Sequence, residues 1–146
     1  MILPDVNVLV YAHDEASERH EAWRAWWENL VNGPAPFAVA DICLTGFVRV
    51  VTHPRVLAKP LALDLAISLM DAVVRHPGCQ VVASTTRTWD VFTELCRDGG
   101  ARGNTVPDAW IAALTMTAGA ELATADRGFG RWPGLRWHHP LDAQAR

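Results

Sequence analysis

The chain has 146 residues, half of them hydrophobic and a fifth charged, with 13 basic against 16 acidic side chains and a net charge of −3. That length suits one compact domain over residues 1–146 with a real core, and no run approaches the ~20 uninterrupted apolar residues of a membrane span. The acidic balance speaks against nucleic-acid binding by net charge alone, yet every basic residue except Lys59 is arginine, whose planar fork suits phosphate contact and base stacking. A GC-rich coding sequence produces the same bias. Cys43, Cys79 and Cys96 are odd in number, scattered and set in apolar runs, which suits reduced core thiols and gives neither zinc spacing nor a disulfide frame. Met1 leads directly into an apolar run with no room for a signal segment, so a cytoplasmic protein is expected.

The elements follow in chain order. Ile2-Leu3-Pro4 reads as a short buried strand ending at Asp5, with a helix beginning over Val6-Asn7-Val8-Leu9. If the sheet is parallel, Asp5 stands at the edge where open α/β folds build their sites; equally, its side chain can simply cap the helix. Glu18 to Val31 places Trp23, Trp26, Trp27, Leu30 and Val31 on one helical face, opposite Glu18, Arg19, Arg24 and Glu28, and Asn32-Gly33-Pro34 stops it. Phe37-Ala38-Val39-Ala40 is a second strand, ending at Asp41. Ile42 to Thr52 reads as a largely buried helix with Arg49 its one charge, broken by His53-Pro54.

Leu61 to His76 is a second amphipathic helix ended by Pro77-Gly78, and Cys79 to Ala83 a third strand. Thr86 to Arg97 is a helix terminated by Asp98-Gly99-Gly100. Asn104 or Thr105 caps the next helix, with Pro107 in its first turn, which runs through Asp108 to Gly119. Glu121 to Thr124 is a fourth strand ending just before Asp126, and Leu135-Arg136-Trp137 offers a fifth. Strands alternating with helices from end to end predict an α/β domain with a mainly parallel central sheet between helical layers. There is no linker, internal repeat or low-complexity tract.

Asp5, Asp41, Asp108 and Asp126 all fall where strands end or helices begin, whereas Glu21, Glu28, Asp64 and Asp71 lie on exposed helix faces. Carboxylates gathered at one sheet edge raise one another's pKa and call for a cation. No histidine or cysteine stands at metal-ligand spacing, so the fitting ion is a hard one held by oxygen, Mg²⁺ or Mn²⁺, which leaves room for phosphate oxygens. Metal-assisted phosphodiester hydrolysis is the chemistry this predicts. The six histidines form no catalytic triad with the cysteines or with any Gly-x-Ser-x-Gly turn.

Asp5-Val6-Asn7-Val8-Leu9, Asn104-Thr105-Val106-Pro107-Asp108-Ala109-Trp110-Ile111-Ala112-Ala113, and Leu122-Ala123-Thr124-Ala125-Asp126-Arg127-Gly128-Phe129 followed by Pro133-Gly134-Leu135 resemble PIN domains, specifically the VapC toxins of bacterial toxin–antitoxin pairs. The likeness runs over nearly the whole chain. It implies a three-layer αβα PIN fold and a Mg²⁺- or Mn²⁺-dependent endoribonuclease, usually a homodimer, held inactive by a VapB antitoxin. By the same resemblance Asp5, Asp108 and Asp126 are metal ligands, while Asn7 and Thr124 orient the carboxylates and hydrogen-bond the bound water. Arg127, beside Asp126, either contacts a substrate phosphate or is a solvated loop arginine.

The sequence departs from the family in one place. Many PIN domains carry a glutamate in the helix after the second strand, where Gly46 stands here. Asp41 is the candidate substitute, but five helical residues amount to roughly 140° of rotation, so it cannot occupy the same face; its other role is as an ordinary helix cap. Arg49 is expected either to reach the acidic cluster as a structural partner or to snorkel to solvent.

Two other readings compete with the nuclease. One is a catalytically silent PIN-type RNA-binding or regulatory module, motivated by Gly46. The other, a receiver or haloacid-type phosphatase, is disfavoured because Asp5-Val6-Asn7 lacks a second aspartate and Lys59 follows no strand. The tryptophan-bearing helix and its neighbours offer apolar surface for an antitoxin helix or a dimer seam.

Overall fold

The computed structural model describes residues 1–142, so the last four positions of the expected 1–146 domain lie outside the described residues. The elements run β1 (Ile2–Pro4), α1 (Val6–His13), α2 (His20–Asn32), β2 (Phe37–Ala40), α3 (Asp41–Val51), α4 (Leu63–Val74), β3 (Cys79–Val82), α5 (Thr86–Asp98), α6 (Thr105–Thr117), β4 (Glu121–Ala123), a 3₁₀ turn (Arg127–Arg131) and β5 (Trp137–His138). The five strands form one sheet in the order β3-β2-β1-β4-β5, and every pairing is parallel. Helices flank it in the three-layer αβα arrangement expected from the alternation.

Burial explains which strands read as apolar runs. Phe37, Ala38, Val39 and Ala40 of β2 are fully buried, as are Leu3 of β1 and Leu122 of β4, because central parallel strands are covered on both faces. The edge strand β3 instead exposes Gln80 and Val81. Leu3, Leu9, Phe37, Phe47, Leu114, Leu122 and Phe129 form the fully buried centre of the core, each stabilising the fold by ~1.5–3 kcal/mol.

Several boundaries differ from the sequence expectation. The tryptophan helix starts at His20, because Arg19 at its N-cap adopts a left-handed backbone with φ 59°. The fourth helix spans Leu63–Val74 and the fifth strand lies at Trp137–His138. The helix read as largely buried, α3, is amphipathic: only Cys43, Phe47 and Val51 are buried, at i, i+4 and i+8. Trp23 and Trp27 turn into the core, where Trp27 meets the Phe37 ring edge-on at 5.9 Å, and Trp26 is half-buried against His138. Exposed apolar side chains are instead most concentrated on α4, where Leu63, Leu65, Ile67 and Val74 face outward.

Strand order reverses at β1, which has β2 on one side and β4 on the other. The connections leaving the C-terminal ends of β1 and β4 therefore diverge and open a crevice. Register decides what lies in it. Pro4 pairs with Ala123 and the Asp5 N–H donates to the Ala123 carbonyl at 2.9 Å, which brings Asp5 beside Thr124.

Candidate active site

Asp5 caps α1 and faces the crevice at once. Its Oδ1 accepts from the Val6 N–H at 2.7 Å, and its Oδ2 accepts from Asn7 Nδ2 and Thr124 Oγ1, each at 2.7 Å. The helix-cap reading holds, and the capping carboxylate also lines the cleft. Asp5 is only 4 % exposed.

Thr124 is fully buried, and its hydroxyl is fully used. It donates to Asp5 and accepts from Asn7 Nδ2 and the Asp126 N–H, both at 3.1 Å. Asn7 completes the lattice by accepting the Ala125 N–H on Oδ1 at 3.1 Å. Asp126 caps the 3₁₀ turn by accepting from the Gly128 N–H at 2.7 Å, and is otherwise exposed. Asp108, in the first turn of α6, is half-buried.

Asp5, Asn7, Asp108 and Asp126 line one open cleft of about 660 Å³, walled by Val6, Ile42, Thr45, Gly46, Arg49, Pro107, Ile111 and Phe129. Burial pushes the Asp5 carboxyl upward against the pull of its Thr124 and Val6 hydrogen bonds, and the charges of Asp108 and Asp126 push it further. Asp108 is raised by burial and by Asp126, with Arg131 opposing. The carboxylates thus repel one another across the cleft, the condition a cation relieves.

The donors are all oxygen, which fits Mg²⁺ or Mn²⁺. Among the described residues no three carboxylate, imidazole or thiol groups draw together into a closed cage for an ion. An open arrangement of this kind suits a hard cation that keeps most of its waters and takes only one or two carboxylates directly. Asp5, Asp108 and Asp126 would hold it, with Asn7 and Thr124 fixing the orientation of Asp5.

Other residues picked out from the sequence fall elsewhere. Asp41 stands at the same sheet edge, but it is exposed, its Oδ1 accepts from the Ile42 N–H at 2.7 Å, and it does not line the cleft. The helical rotation between positions 41 and 46 is the reason. Gly46 does line the cleft, and a Cβ there would meet Val6 Cγ2 at 3.0 Å. Arg127 is paired with Asp142 at 2.9 Å on the surface and is not a cleft residue. Arg49 makes no ion pair with the carboxylates among the described residues; it is exposed on the cleft wall. Thr45, also on the wall, and Arg131, whose charge acts on Asp108, were not singled out from the sequence. The spacing of Ile42, Thr45, Gly46 and Arg49 on one helix face could have found Thr45.

The PIN domain family profile matches residues 2–135. The chain belongs to the PIN domain family. Ribonuclease VapC43 of Mycobacterium tuberculosis is 40% identical over 144 residues, covering 99% of this chain and 98% of that protein. Ribonuclease VapC33 of the same species is 32% identical over 141 residues, covering 97% and 99%. These relatives make the chain a VapC-type PIN domain. Among solved structures, VapBC2 from Rickettsia felis, bound to a DNA fragment from its promoter, aligns with a TM-score of 0.69 at 19% identity over 94% of this PIN domain and 98% of that chain. VapC20 of M. tuberculosis, a sarcin–ricin-loop-cleaving toxin, aligns at 0.66 and 14% identity over 93% and 99%. At those identities the two structures show the shared PIN fold alone.

Proposed function

We propose that this PIN domain is a Mg²⁺- or Mn²⁺-dependent endoribonuclease, the toxin of a VapBC-type pair, cutting single-stranded or loop RNA to leave 5′-phosphate and 3′-hydroxyl ends. The observation that carries the reading is that Asp5, Asp108 and Asp126, 121 positions apart at the extremes of the sequence, line one cleft at the point where strand order reverses. The curated relatives named as VapC ribonucleases support the same activity.

A divalent ion bound there supplies Lewis acidity toward a phosphate oxygen and acidifies water. The chain's own contribution is positioning. Thr124 and Asn7 lock one rotamer of Asp5, so its remaining Oδ1 lone pair keeps a fixed direction. Asp126 keeps one oxygen on the Gly128 N–H and the other free, and Asp108 closes the cleft from the start of α6. Chelation by EDTA is expected to abolish cleavage of a structured RNA, with activity restored by Mg²⁺ or Mn²⁺; cleavage that persists in EDTA rejects the proposal.

The silent-module reading draws on the α3 wall, which presents Gly46 and no carboxylate to the cleft. Titration calorimetry separates the two: a nuclease binds Mn²⁺ through its acidic cleft, and a silent module shows no heat of binding even with RNA present.

A VapB-type antitoxin and a homodimer are the partners proposed. A second groove of about 470 Å³ runs between α1, α2 and α4, with Ala12, Leu61, Leu65 and Leu69 on its apolar side and Asp14, Glu15, Arg24 and Lys59 on its charged side, beside the exposed Leu63 and Ile67 of α4. It suits the apolar face of an amphipathic helix, and solved neighbours include VapBC complexes. Hydrogen exchange on adding the antitoxin is expected to protect α4 and the start of α2; no protection in either removes the groove from the proposal.

A further inference from the structure

The acidic cleft has to admit an anion. RNA brings a phosphate into a site where Asp5, Asp108 and Asp126 already repel one another, in a chain of net charge −3. A bound divalent ion offsets part of that repulsion, and a cationic side chain on the cleft wall offsets more of it.

Three arginines belong to the segments around the site, and they differ in whether they line the cleft. Arg127 is tied to Asp142 at 2.9 Å. Arg131, whose charge acts on Asp108, lies over the Trp132 ring at 5.6 Å and does not line the cleft. Arg49 is the cation that lines the cleft, and among the described residues it forms neither an ion pair nor a hydrogen bond through its guanidinium. It extends the face made by Ile42, Thr45 and Gly46, one helical turn beyond the glycine. An acidic side chain at position 46 would be an i, i+3 neighbour able to pair with Arg49. Glycine at that position leaves the guanidinium uncommitted. The close approach of α3 to α1 there, with a Cβ at 46 set to meet Val6 Cγ2 at 3.0 Å, keeps this wall next to Asp5.

We propose that Arg49 is a substrate-binding residue whose guanidinium fork takes two oxygens of an RNA phosphate in the cleft, from the wall formed by α3. The assignment rests on the ribonuclease reading above. The fork geometry favours arginine over lysine, because paired N–H donors match a phosphate edge.

The test measures binding apart from cleavage. In an Asp126→Asn background, the affinity for a fluorescent single-stranded RNA is followed by anisotropy over a range of salt, with Mg²⁺ present. Arg49→Ala is expected to weaken binding about tenfold and to make the plot of log K against log salt shallower by about 0.7, the loss of one phosphate contact. Arg49→Lys is expected to keep the slope and lose part of the affinity. In the active enzyme Arg49→Ala raises KM more than it lowers kcat. Thermal denaturation of Arg49→Ala is expected to match the parent, since the Arg49 guanidinium makes no hydrogen bond or ion pair among the described residues. An unchanged slope and affinity, in a parent that binds RNA, overturns the assignment of Arg49 alone. A fall in melting temperature with an unchanged slope makes Arg49 structural and overturns it too. Failure of both this parent and the unsubstituted protein to bind RNA at any salt removes the ribonuclease reading, and this inference with it.

Discussion

Thr124 Oγ1 donates to Asp5 Oδ2 at 2.7 Å across a sequence separation of 119 residues. That bond joins the loop after β4 to the start of α1, and it is buried. Replacing Thr124 by valine keeps the shape but removes one donor and two acceptor sites, leaving one Asn7 amide hydrogen and the Asp126 N–H without their acceptor. The expected loss is about 2–3 kcal/mol, read as a lower urea midpoint at constant slope, with activity lost as well. Thr124→Ser, which keeps the hydroxyl, is expected to retain most of both.

Asp5 and Asp126 respond differently to the same isosteric change. At Asp5 both oxygens accept hydrogen bonds, so Asp5→Asn turns an amide NH₂ against a donor and is expected to cost about 1–3 kcal/mol. At Asp126 only Oδ1 is engaged and the residue is exposed, so Asp126→Asn leaves the melting temperature near that of the wild type. Both variants are expected to lose RNA cleavage. Wild-type rates from purified Asp126→Asn protein end the assignment of that carboxylate.

The pH dependence of stability has a definite sign. Burial lifts Asp5 above its ordinary 3.8, and burial with Asp126 lifts Asp108. The folded state therefore holds these protons more tightly than the unfolded chain. The stabilisation this gives is present at low pH and is lost as pH rises from the unfolded carboxylate range through the raised folded values. A divalent cation opposes that loss, so the melting temperature gained on adding Mn²⁺ is expected to be larger at about pH 7.5 than at about pH 4.5; a hundredfold excess over Kd gives about 2.7 kcal/mol. Scanning calorimetry at both pH values checks it, and an equal gain at each contradicts ligation by these carboxylates.

Gly46 sets how closely α3 approaches α1. Gly46→Ala places a methyl 3.0 Å from Val6 Cγ2, and the crowding is expected to offset the roughly 1 kcal/mol that alanine otherwise gains over glycine inside a helix. Combining it with Val6→Ala is expected to recover part of that, giving a coupling of about 0.5 kcal/mol or more in a double-mutant cycle. Strict additivity would show that the two residues do not press on each other.

The periodicity and punctuation of the sequence were enough for the αβ alternation, because strand and helix repeats depend on neighbouring residues only. Asn32-Gly33-Pro34 and Pro77-Gly78 end helices locally, and the boundaries at Phe37–Ala40 and Glu121 were legible for that reason. Where a boundary depended on backbone geometry, as at left-handed Arg19, it moved. The burial of α3 is graded: Cys43, Phe47 and Val51 are buried, Leu44, Val48 and Val50 pack partly against the core, and Ile42 is exposed on the cleft wall, a distinction that depends on what packs beside the helix.

By itself the sequence determined that carboxylates end strands and open helices, and that no histidine or cysteine stands at metal-ligand spacing. Only the tertiary structure decided which of them meet. Parallel register and the reversal of strand order at β1 bring Asp5, Asp108 and Asp126 to one cleft, while a helical rotation sends Asp41 to solvent and an ion pair holds Arg127 at the surface. Side-chain direction is set by strand pairing and helix phase across more than a hundred residues of chain, and no local pattern encodes it.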